Sequence, residues 1–172
     1  MIDKLLVVVV VFVAALLQVT LVASLDVAGG TADLLLLSLL PIAFLRGSIA
    51  GAAAGFFGGL LVDVMTLDTL GLTALLYALA GYLAGRYGET TGRDRAHAPP
   101  VAVLVATIGI AYAGFGLHFL LGENVSARLA LVDTLLPSLV LNLLVGLPVY
   151  AICRSALGRI ESERVAEVRL LG

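Results

Sequence analysis

The sequence predicts an all-α, polytopic membrane protein, a six-span helical bundle with both ends of the chain on the cytoplasmic side. Three observations carry this. The 172 residues are 61% hydrophobic and 13% charged, against roughly 25% charge in an average soluble domain, and the mean hydropathy is +1.13. A soluble fold of this length could not hide so much apolar surface. Six apolar runs can be drawn, each bounded by charges or turn residues. Finally, the basic residues divide nine to one between the two sides that six spans create.

Span 1 is Leu5 to Leu25. Its 21 residues exceed the roughly 7–15 of a signal-peptide core, and Val22-Ala23-Ser24 is a poor cleavage site, so it reads as a retained helix. Span 2, Thr31 to Leu45, is short and holds Pro41. Fifteen helical residues reach only about 22 Å, less than the ~30 Å hydrocarbon core. Span 3 is Gly47 to Met65 and span 4 Thr69 to Arg86; the few residues between them force an antiparallel helical hairpin. Span 5 is Pro100 to Leu121, after a charged inner loop, and span 6 is Thr134 to Arg154. Asp68 or Thr69 can cap span 4, and Asp133 can cap span 6. Residues 1–156 then form a single transmembrane domain, and 157–172 an arginine–glutamate amphipathic tail that continues span 6.

Charge fixes the topology. Lys4, Arg46, Arg86, Arg93, Arg95, Arg154, Arg159, Arg164 and Arg169 fall on the inner side, and only Arg128 falls outside. This is a strong positive-inside bias. A re-entrant span 2 would move Arg86, Arg93 and Arg95 outside, so six full spans are favoured. The inner face carries +3 and the outer face −5, which together give the net −2. The arginine-rich inner surface is a topology signal with some attraction to anionic lipid, and it does not point to nucleic acid.

Within the hairpin, Gly47, Gly51, Gly55 and Gly59 recur every four residues. They share one helix face, against which another helix can approach closely. That helix can belong to a partner or to this chain. Gly81 and Gly85 give span 4 a second small face. Asp63 follows the ridge, about 24 Å along span 3 from Gly47 at helical rise, which puts it near the outer interface. An acid in lipid is costly; it can serve proton or substrate chemistry, anchor a partner, or brace the turn that follows. No Lys, Arg or His lies inside spans 2–4 to form a proton relay, which favours the brace. Asp33 opens span 2, where the helix dipole favours a carboxylate. Gln18 and Asn142, inside spans 1 and 6, suit hydrogen bonds between helices.

Signals for other chemistry are missing. His97 and His118 fall on opposite sides, and no His, Cys and acid cluster has metal-ligand spacing. No serine has a base at a suggestive spacing, there is no phosphate-binding loop, and Cys153 is the only cysteine, so no intrachain disulfide can form. The chain reads as a non-enzyme without metal or cofactor.

The residue order Asp33-Leu34-Leu35, Arg46-Gly47, Gly55-Phe56-x-x-Gly59-Leu60-x-x-Asp63, Leu70-Gly71-x-x-Ala74-Leu75 and Gly81-Tyr82-x-x-Gly85 resembles the MreD family of bacterial rod shape-determining membrane proteins. Length, six spans and the last span LLPSLVLNLLVGLPVYAICRSAL agree with it. Ala32 departs from the proline usual before the span-2 aspartate. The resemblance implies residence in the bacterial cytoplasmic (inner) membrane and a non-enzymatic role in peptidoglycan elongation. It further implies an MreC-like partner and a wider complex with the actin-like MreB, the glycosyltransferase RodA and a class B penicillin-binding transpeptidase. The family is also similar in fold to the S components of energy-coupling factor transporters, so the alternative is a substrate-binding transporter subunit. On the family reading, Gly47, Gly51, Gly55 and Gly59 let a partner helix approach, and Phe56 adds an apolar contact. Asp63 and Asp33 organise the outer end of that site, while Gly71, Gly81, Gly85 and Asn142 have structural roles.

Overall fold

In a computed structural model, which describes residues 2–20, 29–91, 98–122 and 134–170, six α-helices account for nearly all of the described residues. They are α1 (Ile2–Thr20), α2 (Leu34–Arg46), α3 (Ser48–Thr66), α4 (Leu72–Thr91), α5 (Ala98–Leu120) and α6 (Leu135–Leu170). There is no strand among the described residues. The segments α3, Pro99–Leu120 and Leu135–Ser155 are each long and apolar enough to cross a bilayer, and Leu5–Thr20 and α2 are shorter apolar helices. The arginine–glutamate tail is a direct continuation of the last span. At 1.5 Å per residue the 36-residue α6 is about 54 Å long, well beyond the membrane core. The face its tail presents lies outside the described residues, as do Asp133, His97, Arg93, Arg95 and Arg128.

The weak span of the sequence is the centre of the fold. α2 has only 13 residues, yet it packs against all five other helices. Every side chain from Leu35 to Phe44 is buried. A helix that is apolar all round is one that the protein surrounds. Its shortness and its internal Pro41 are tolerated for the same reason: non-ideal backbone survives at membrane depth when protein, not lipid, covers it. Leu35, Leu39 and Ile42 face a cluster with Val11, Ala15, Ala54 and Leu76. Leu36, Leu40 and Phe44 face Ala84, Ala102 and Val103. α2 is thus a peg around which the others stand.

One residue, Gly47, joins α2 to α3. Its φ of +90° lies in the region that favours glycine, so it is the hinge of a reversal and not the first rung of a helical ridge. α3 and α4 then make the most extensive helix pair in the molecule.

Candidate functional site

The remaining ridge glycines meet α4. A Cβ on Gly51 would stand 2.5 Å from the Gly81 carbonyl oxygen, and one on Gly59 would stand 2.6 Å from Ala74 Cα. At Gly55 it would overlap the Tyr77 carbonyl group. From the other helix, Gly81 meets the Gly51 carbonyl and Gly85 meets Ser48. The two backbones are therefore in direct contact along the whole hairpin, closer than any side chain allows. The open groove for a partner at Gly47, Gly51, Gly55 and Gly59 is corrected by this packing: Gly47 is a turn residue, and the other three are occupied from within the chain. Phe56 lies on a different side of α3. It is exposed together with Phe57 and Ile49, Phe57 at 67% of its surface.

Close approach of antiparallel helices places each N-terminus beside the other's C-terminal turn. Both N-termini here are capped across the pair. Asp63, 1% exposed, accepts hydrogen bonds from the backbone N–H groups of Gly71 (2.8 Å), Thr73 (3.2 Å) and Ala74 (3.3 Å) at the start of α4. Its own carbonyl accepts from the N–H groups of Leu67 and Asp68 and closes α3. One residue thus ends a helix with its backbone and begins the next with its side chain. These are the orphan donors and acceptors of two helix ends, and the carboxylate also meets the positive end of the α4 dipole. The reversal depends on Leu67, which is left-handed at φ 55° and ψ 31°, an unusual conformation for a branched side chain. Asp68, offered above as the cap of span 4, instead accepts from its neighbour Thr69. Asp63 reaches α4 because that left-handed turn brings the end of α3 beneath it.

At the opposite end, Glu89 of α4 accepts from Ser48 N–H at 2.8 Å and Ser48 Oγ at 3.1 Å, which caps α3. The two Ser48 bonds, with Arg86 at 3.5 Å adding less, hold the Glu89 carboxyl below its ordinary value of 4.5. Glu89 lies beyond Arg86, in what the sequence presents as a charged loop, and nothing local marked it as a cap. A carboxylate with a depressed folded pKa stabilises above its unfolded pKa and loses that contribution as pH falls through the folded one. Wild-type protein is therefore expected to unfold at a higher temperature than Glu89→Gln at neutral pH. The difference should shrink as pH drops below 4.5, and thermal unfolding across that range checks it.

A second polar group forms at the N-terminus of α2. Asp33 Oδ1 accepts from Leu36 N–H at 2.9 Å, a conventional N-cap, and Oδ2 accepts from the Tyr77 hydroxyl of α4. The Asp33 N–H donates to Asn142 Oδ1 of α6 at 2.7 Å, and Asn142 Nδ2 donates to Thr107 Oγ1 of α5 at 3.1 Å. Gln18 of α1 accepts from Leu34 N–H at 2.7 Å. Side chains from α1, α4 and α6 thus meet the N-terminal end of the central helix, and Thr107 of α5 joins them through Asn142. Within a bundle, such groups settle orientation by requiring partners that lipid cannot supply. Tyr77 and Thr107 escaped the sequence reading. A signal existed for Tyr77: it stands three residues after Ala74 and four before Gly81, on the small face of α4.

Asp33 and Asp63 both sit near the α4 N-terminal half, but each is engaged by its own donors, and no three His, Cys, Asp or Glu among the described residues could hold a metal ion. The arrangement braces helices against one another. These features define the class, an all-helical membrane protein built on a buried peg helix and a cross-capped glycine hairpin. Within that class, the family model for the rod shape-determining protein MreD matches residues 1–156, and the chain belongs to the MreD family. No curated protein and no solved structure matches it.

Proposed function

We propose that this rod shape-determining membrane protein is a non-enzymatic scaffold or regulator of the cell-elongation machinery. It resides in the bacterial cytoplasmic membrane with both termini inside, and binds the transmembrane helix of an MreC-like partner. Through that partner it joins MreB, RodA and a class B penicillin-binding transpeptidase in supporting peptidoglycan synthesis. The family match over residues 1–156 supports the role, and the nine-to-one division of basic residues supports the orientation.

The observation that carries the choice of contact is the α3 face left over once its glycines are spent. Ile49, Phe56 and Phe57 are exposed along it, on a helix whose opposite side is locked to α4. Aromatic anchors on a rigid element are what a partner helix grips best, because little order has to be imposed on binding. The doubly substituted Phe56→Ala, Phe57→Ala protein should fold normally and recover about tenfold less MreC in co-purification, a loss of roughly 1.4 kcal/mol or more. Full MreC recovery together with normal rod shape would sink this contact.

A further inference from the structure

Between α4 and α5 lies an apolar groove of about 280 Å³. We propose that it seats one acyl chain of an anionic phospholipid from the inner leaflet, with the headgroup held at the Arg86 end. Small residues such as Ala80, Ala84, Ala106 and Gly109 open the groove between larger apolar side chains such as Leu83 and Val105, and it runs along α4 from Tyr87 to Leu76. A side chain on Gly109 would meet nothing within 4 Å, so the space beside it is open.

Length decides the occupant. Tyr87 to Leu76 is eleven helical steps, about 16 Å at 1.5 Å each, which is close to half of a ~30 Å hydrocarbon core. A partner's spanning helix, or one from a second copy, is a cylinder of about 10 Å that could lie over the groove but not enter it. A single acyl chain is slender, makes no hydrogen bonds and ends at mid-membrane, as the groove does. Position agrees. The Tyr87 end is the inner end on the charge map, and Arg86 lies directly beside it in the chain. The Arg86 side chain is 57% exposed, and its contact with Glu89, at 3.5 Å, is made through one nitrogen. A guanidinium has five N–H donors, so the others can meet a lipid phosphate, which Arg binds with favourable geometry. An anionic headgroup also suits the net positive inner face of the chain.

The test uses the whole protein in nanodiscs that contain phosphatidylglycerol or phosphatidylcholine with a photoreactive diazirine in the acyl chain, read by peptide mapping. Labelling should concentrate on residues 76–87 and 101–113, exceed that of the other lipid-facing helices severalfold, and be stronger with phosphatidylglycerol. Unlabelled phosphatidylglycerol should compete it away. Gly109→Leu should fill the groove and cut the labelling severalfold with an unchanged unfolding temperature. Arg86→Gln should keep the labelling but erase the headgroup preference. The proposal is overturned by labelling spread evenly over all exposed helices, by equal labelling from both lipids in the wild type, or by cross-links that place a second copy's helix in the groove. MreC is absent from this experiment, so its outcome is independent of the partner assignment above.

Discussion

Gly55→Leu is expected to give little folded protein. Ordinary overpacking of a core costs roughly 1–3 kcal/mol because side chains yield. Here the obstacle is backbone: the new Cβ would overlap the Tyr77 carbonyl, and the remaining atoms of leucine need still more room. Relief requires α3 and α4 to separate, and separation pulls Asp63 from the α4 N-terminus and Glu89 from Ser48 together. The loss should therefore exceed the usual range and appear as a collapse in detergent-stable yield and unfolding temperature. Gly109→Leu is the matched control. It puts the same side chain into another membrane helix, at a site where a Cβ meets open space, and should leave both measurements unchanged. Equal tolerance of the two substitutions would contradict the close contact of α3 and α4.

Asp63→Ala is the second large effect. It removes the acceptor for three backbone N–H groups at a site that is 1% exposed. A lost N-cap costs about 0.5–2 kcal/mol, and buried donors left without partners cost about 1–3 kcal/mol more. Destabilisation of about 2–4 kcal/mol is expected. Asp63→Asn keeps one acceptor oxygen and should lose less than half of that in the same unfolding assay. The pair also separates bracing from proton chemistry. If Asp63 carried protons, Asn and Ala would impair cell-shape function equally, whatever their stability. If it braces the hairpin, function should follow stability and Asn should be the milder change.

How much of this was legible differs from element to element. The glycine period announced a close helix contact, but the period alone could not name the helix. Small faces serve contacts within a chain and between chains in the same way, because both gain from van der Waals approach. Asp63 was legible as a brace because no Lys, Arg or His inside spans 2–4 could form a proton relay with it, yet the N–H groups it holds depend on the turn at Leu67. Glu89 was not legible, since the residue it caps lies 41 positions earlier in the sequence. The glycine register brings them together. Asn142 and Gln18 advertised bonds between helices by being polar in lipid, while their meeting point at Asp33 required the bundle.

By itself, the sequence determined the membrane class, the approximate helix positions and the family order of residues, and it supplied the charge bias on which the proposed orientation rests. Each of these follows from local composition, from charge counted along the chain, or from spacing within one segment. Only the tertiary structure decided which apolar residues face protein and which face lipid. In water, a polar face and an apolar face tell inside from outside. In a bilayer, leucine suits both environments, so Leu34–Leu40 could have been a lipid-facing span as easily as the buried peg it is. What distinguishes the two is contact with all five other helices, and that is a property of the assembled bundle.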